Sequence, residues 1–101
     1  MNTFKVRHTV VFSLKHPKGS AEETEFIQAA RKLSSIPGVR HFECLRQISK
    51  ENNFDYGLSM EFETSEAYEA YLKFPAHEEF VQTYWIKNVK DFLEIDYETL
   101  T

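Results

Sequence analysis

The stretch 55–63, DYGLSMEFE, decides the fold. Tyr56, Leu58, Met60 and Phe62 fall on one side of it; Gly57, Ser59, Glu61 and Glu63 fall on the other. Alternation of this kind is the period of a strand, and the apolar/polar split means that one side packs while the other stays open. Such strands belong to antiparallel sheets covered on one face. Working outward, Val6–Leu14 repeats the pattern, with Val6, His8, Val10, Phe12 and Leu14 on one face and Arg7, Thr9, Val11 and Ser13 on the other. Residues 39–48 form a further strand with Phe42 and Cys44 on one face, and Val89–Tyr97 a last one carrying Leu93, Ile95 and Tyr97.

Helical signals fill the gaps. The turn His16-Pro17-Lys18-Gly19 precedes Ser20 and Glu23, a capping box in which the hydroxyl caps an early N–H and the glutamate reaches back. The helix that follows runs to about residue 35, with Phe26, Ile27, Ala30 and Leu33 as its apolar stripe, and Pro37-Gly38 ends it. Thr64 caps a short helix to about Lys73. Phe74-Pro75 breaks that helix, because a residue before proline is pushed out of the helical region. Pro75 then suits the first turn of another, on which His77, Phe80, Val81 and Tyr84 share a face.

The order β-α-β-β-α-(α)-β predicts an α+β, ferredoxin-like fold: one four-stranded antiparallel sheet with helices on one face. Residues 1–101 form a single domain, with the first four and last three as short tails. The bare face holds Thr9, Val11, Gly57, Ser59 and Glu61, and a symmetric homodimer is the simplest way to cover it.

Composition sets the outer limits. The net charge of −4 argues against an electrostatic nucleic-acid or anionic-membrane binder. A single cysteine precludes an internal disulfide and a cysteine-based zinc cluster. No apolar run approaches a membrane span or follows the N-terminus as a signal would, which makes a reduced, cytoplasmic setting the expectation. Three glycines exclude the glycine-rich nucleotide-binding loops. The nine Phe, five Tyr and one Trp are many for this length. Phe12, Phe26, Phe42, Phe62, Phe80 and Tyr84 suit the layer between sheet and helices; Tyr56, Tyr71, Phe74 and Trp85 suit pocket walls.

Chemistry concentrates at Tyr71-Leu72-Lys73-Phe74-Pro75-Ala76-His77, where the proline break can fold Tyr71 and His77 toward one point. A neutral imidazole is the natural base near neutral pH, and a phenol can donate to an oxygen gaining charge. His8 shares their layer by strand parity. Each also has a bland reading: a histidine on an apolar stripe is commonly a hydrogen-bonded core residue, and a tyrosine a packing residue with a satisfied hydroxyl. No histidine has a carboxylate in ligand spacing along the chain, so no metal site is expected.

From about Val6 to Tyr97 the chain resembles the stress-responsive α/β-barrel (Dabb) family. The resemblance is carried by Arg7-His8, Ile36-Pro37-Gly38-Val39, Phe62-Glu63-Thr64, Tyr71 with Phe74-Pro75-Ala76-His77, Phe80-Val81 and Ile95-Asp96-Tyr97. It implies a ferredoxin-like subunit forming a homodimeric α+β barrel. It also implies kinship with olivetolic acid cyclase-type polyketide cyclases, which use no cofactor. Their histidine base falls at His77, their tyrosine at Tyr71 and a pocket-lining histidine at His8. This chain departs at Phe74, where the cyclase has a histidine, so the resemblance extends to the pocket and not to the cyclase's substrate. Three functions follow as expectations. The first is a cofactor-independent enzyme with His77 and Tyr71 catalytic and His8, Tyr56, Phe74 and Trp85 around a small apolar substrate. The second is a non-catalytic ligand-binding or stress-protection homodimer. The third is a cofactor-free monooxygenase, for which no residue selects oxygen chemistry.

Overall fold

The computed structural model describes residues 4–100, so parts of both expected tails, residues 1–3 and 101, lie outside the described residues. Four strands, β1 (Val6–Leu14), β2 (Arg40–Arg46), β3 (Tyr56–Phe62) and β4 (Val89–Tyr97), form one sheet in the order β2-β3-β1-β4. Every neighbouring pair is antiparallel. This is the ferredoxin-like α+β architecture.

Register decides what each face holds. Val6, His8, Val10 and Phe12 pair with Phe62, Met60, Leu58 and Tyr56 on β3. Together with Leu14 these side chains face the helices. His8, Val10 and Phe12 are also opposite Asp96, Glu94 and Phe92 of β4, which fixes the helix-facing parity of that strand. Phe12, Phe26 and Phe62 are fully buried at the centre of the layer. Burying a side chain of this size contributes about 1.5–3 kcal/mol. The rings interlock, with Phe12 and Phe26 centroids 5.5 Å apart and Phe26 and Phe80 5.6 Å apart.

The helices begin where the caps place them. The Ser20 hydroxyl accepts from the Glu23 N–H and the Glu23 carboxylate accepts from the Gly19 N–H, so α1 (Ala21–Arg31) starts at the expected residue. It tightens into a 3-10 turn over Lys32–Ser35, carrying the expected helix end in a narrower form. The Thr64 hydroxyl accepts from Ala67 N–H and starts α2 (Ser65–Lys73). Phe74 then adopts extended backbone (ψ 136°) ahead of Pro75, and α3 (Pro75–Phe80) begins. The sequence pattern reads one continuous helix after Pro75. The structure instead widens it to a π-helical turn at Val81–Trp85 before a last turn, α4 (Ile86–Asn88). The Asn88 side chain donates to the Tyr84 carbonyl and closes the segment. Strand 39–48 is shorter than its alternation suggests: the strand runs over Arg40–Arg46, after which Gln47 adds one further backbone bond to the Asp55 carbonyl and its side chain donates to the Phe54 carbonyl.

The other sheet face is bare. Thr9, Val11, Gly57, Ser59 and Glu61 lie there as expected, joined by Leu45 opposite Gly57 and by Leu93, Ile95 and Tyr97 of β4. Leu45, Leu93, Ile95 and Tyr97 are exposed apolar side chains on this face. Arg7 and His41 both pair with Glu61 at its side, at 2.6 and 2.8 Å. Among the described residues, no helix is long and apolar enough to cross a membrane.

Candidate functional site

A cavity of about 380 Å³ opens between the helix-facing side of the sheet and the segment Tyr71–Ile86. β1 supplies His8 and Val10, β3 supplies Leu58 and Met60, and β4 supplies Phe92 and Glu94. The last turn of α2 adds Tyr71 and Leu72, and the first turn of α3 adds His77. The π-helical turn and its neighbours bring Val81, Trp85 and Ile86 to the wall. A π turn rotates the side chains that follow it off the regular helical stripe, and such turns recur at functional sites. Leu72, Ile86 and Phe92 are exposed and form the rim. An apolar concavity with a few convergent polar groups is the usual form of a small-molecule site.

The Pro75 break is what brings Tyr71 and His77 together. The Phe74 carbonyl accepts from His77 N–H at 3.0 Å and the Tyr71 carbonyl from Phe74 N–H at 3.1 Å, so the chain reverses within six residues. The Tyr71 and His77 rings end 4.6 Å apart, centroid to centroid. His8 lies 6.2 Å from Tyr71 on the neighbouring wall.

Tyr71 is 2% exposed. Its hydroxyl makes no hydrogen bond to any described residue, yet no buried side-chain nitrogen or oxygen among them lacks a partner. The hydroxyl therefore opens onto the cavity. Burial, and secondarily the charge on Glu94, pushes its pKa up, so it stays a protonated donor across the physiological range.

The two histidines are held differently. Burial lowers the pKa of His77, partly offset by a hydrogen bond to the Leu72 backbone. With its pKa lowered, the ring is neutral near pH 7, the form that can act as a base. His8 is buried, and its Nδ1 lies 2.6 Å from Asp96 Oδ1. The Tyr68 hydroxyl donates to Asp96 Oδ2 at 2.8 Å and sits 3.0 Å from the same Nδ1. The carboxylate accepts a hydrogen bond from the ring and orients it in the cavity wall.

Trp85 lines the cavity and packs edge-on to Phe92 at 5.6 Å. Two other expected pocket residues lie elsewhere. Tyr56 is buried beside Phe12 and hydrogen-bonds Glu23, facing a separate, more polar depression between α1 and β2. Its strand parity is right, but it sits at the far end of β3 from Met60. Phe74 is half-exposed outside the cavity, because its extended backbone turns the ring away from the walls.

Tyr68, Asp96 and Glu94 are the site residues that sequence reading misses. Asp96 lies 88 positions from His8, and only the β1–β4 register places them side by side. The family motif Ile95-Asp96-Tyr97 was the available signal. The same register corrects the expectation that no carboxylate stands near a histidine: donor atoms of His8, Glu94 and Asp96 lie within 4.8 Å of one another. These three are the described residues that could hold a divalent ion. In the structure the Asp96 oxygens are engaged by His8 and Tyr68, and nothing beyond the donor types points to a metal.

The model of the stress-responsive A/B barrel domain, Dabb, matches residues 6–99. The chain is similar to a Dabb family protein with a ferredoxin-like fold from Mesorhizobium loti. The two are 48% identical, with 97% of this chain and 99% of that one covered and a TM-score of 0.93. It is similar in fold to a dimeric ferredoxin-like protein from Thermobifida fusca, at 16% identity, 98% and 94% coverage and a TM-score of 0.77. A hydroxynitrile lyase from Passiflora edulis shares the fold at 14% identity, 98% and 96% coverage and a TM-score of 0.83. No curated protein matches the sequence. With the family model covering nearly the whole chain, the protein belongs to the stress-responsive A/B barrel domain (Dabb) family.

Proposed function

We propose that this protein is a cofactor-independent acid–base catalyst for a small apolar carbonyl compound bound in the cavity beneath Tyr71 and His77. The observation that carries the reading is convergence: Tyr71 and His77, 4.6 Å apart, and His8 open onto one apolar cavity. The neutral His77 nitrogen takes a proton from carbon next to the substrate carbonyl. The C–H electron pair moves into the carbonyl, and its oxygen gains charge. The Tyr71 hydroxyl donates to that oxygen, and the apolar walls keep competing water away. His8, held by Asp96, is a fixed polar wall that orients the ligand. Return of the proton to carbon, or attack of the carbanion on a second carbonyl with the His77 proton passing to the alkoxide that forms, completes the turnover and regenerates neutral His77.

The probe is 4-phenylbutan-2-one in D₂O, with α-deuteration followed by proton NMR. The expected result is exchange faster than in buffer, reduced about 100-fold in His77→Gln and in Tyr71→Phe. Exchange no faster than in buffer overturns the catalytic reading.

A second reading is a passive lipophile binder, favoured by the cavity lining, in which ten of the fourteen residues are aliphatic, Phe, Met or Trp side chains. Binding of the same ketone without deuteration selects it.

The unit in either case is a homodimer closed through the bare sheet face. Leu45, Leu93, Ile95 and Tyr97 line that face, and a contiguous apolar surface of this kind favours burial against a copy of itself. A relative of the same fold is dimeric, which supports the homodimer.

A further inference from the structure

Among the described residues one acidic residue, Glu94, lines the cavity, and its ionic partner, His8, is shared with Asp96. Glu94 faces inward from β4, opposite Val10, with its side chain 52% exposed at the rim. Its closest charged contact is His8 Nδ1 at 3.6 Å, beyond hydrogen-bonding reach, because Asp96 already occupies that nitrogen at 2.6 Å. Asp96 is different: both its oxygens accept hydrogen bonds. Among the described residues, no lysine or arginine lines the cavity to oppose Glu94. The field of the carboxylate reaches the reacting end of the site, since it contributes to raising both Tyr71 and Tyr68.

We propose that Glu94 is a specificity-determining residue that restricts the cavity to uncharged ligands, which makes the substrate class neutral apolar carbonyl compounds and excludes their carboxylate counterparts. This rests on the reading of the cavity as the ligand site. A bound carboxylate would lose water among apolar walls and meet a like charge, with no lysine or arginine among the described lining residues to receive it. A ketone of the same shape suffers neither penalty. It places its oxygen at the Tyr71 hydroxyl.

The test uses a matched pair, 4-phenylbutan-2-one and 3-phenylpropanoate, which differ in a methyl ketone against a carboxylate. Trp85 is the only tryptophan and stands in the cavity wall, so its fluorescence reports both titrations. The wild type should bind the ketone at least about ten-fold more tightly than the carboxylate. Glu94→Gln, which keeps shape and removes charge, should shrink that ratio about ten-fold. Raising salt to about 0.5 M should narrow the ratio more in the wild type than in the variant, because the variant lacks the nearest charge to be screened. The salt arm needs no substitution, so it stands even if the variant folds poorly. Equal affinity for the two ligands in the wild type, or a ratio unmoved by both the variant and salt, overturns the assignment to Glu94. Failure of both ligands to perturb Trp85 overturns the cavity reading beneath it.

Discussion

Two neighbouring tyrosines should respond oppositely to loss of a hydroxyl. Tyr71 and Tyr68 face the same layer, with ring centroids 6.5 Å apart. Tyr71→Phe keeps the ring and its packing on Phe62 at 5.1 Å and on His77 at 4.6 Å. The deleted hydroxyl bonds no described protein group, so the change to folding stability should stay within about 0.5 kcal/mol. The same deletion removes the donor that meets the developing oxyanion, which should lower the deuteration rate by about 10²–10³-fold, or about 3–4 kcal/mol of transition-state stabilisation. Tyr68→Phe breaks the 2.8 Å bond to Asp96 and loosens the support of His8. Hydrogen bonds to a charged partner are worth about 1.5–3 kcal/mol. Asp96 is more than a third exposed, and solvent screening reduces the expected cost to about 1 kcal/mol. In a domain of this length that is a fall in Tm of about 4–8 °C. Thermal melts and the NMR exchange assay on both variants measure the two axes. A Tyr71→Phe protein destabilised by more than about 1 kcal/mol with its exchange rate intact would refute the reasoning, since the hydroxyl would then be structural.

Other consequences are equally direct. His77 has its folded pKa pulled below 6.5 by burial, so the exchange rate should rise with pH to a plateau whose midpoint lies below 6.5, and His77→Gln should erase that limb. The stability linkage has a matching sign. Between the lowered folded value and 6.5 the unfolded chain binds more protons, so His77 contributes stability above about pH 6.5 that is lost as pH falls through its folded pKa; denaturant titrations of the wild type and His77→Gln across that window measure it. Gly38 sits at φ +91°, and a Cβ there would meet only ordinary contacts with Ala67 at 3.5 Å. Gly38→Ala should therefore cost about 1–2 kcal/mol from backbone strain alone, read from urea unfolding. Leu93→Lys on the bare sheet face should convert a dimer into a monomer by light scattering, with far-UV circular dichroism unchanged; a monomeric wild type at micromolar concentration would remove the dimer from the proposal.

Local chemistry made most of the fold legible before any coordinates. Alternation at Tyr56, Leu58, Met60 and Phe62 is a property of the chain itself, because a strand's side chains must take opposite sides. The caps at Ser20 and Thr64 are equally local, since a hydroxyl and an N–H three residues on meet without help from elsewhere. The Pro75 break likewise announced that Tyr71 and His77 would approach. What the chain could not reveal was pairing between distant residues. Nothing near His8 in sequence points to Asp96 or Glu94; the antiparallel register of two strands 75 residues apart puts them there. The faces of Leu93, Ile95 and Tyr97 had the same origin, because parity along β4 divides them from Phe92 and Glu94 without saying which set meets the helices. Tyr56 was misplaced for a related reason: sharing a face with Met60 does not mean sharing a wall, since the cavity spans only one end of the sheet. The π-helical turn at Val81–Trp85 has no sequence signature and arises from packing, yet it sets Trp85 and Ile86 against the cavity. Sequence thus determined the elements and the proline-turned pair, while tertiary structure alone decided which charges stand behind His8 and at the cavity rim, because electrostatic partnership depends on distance in space.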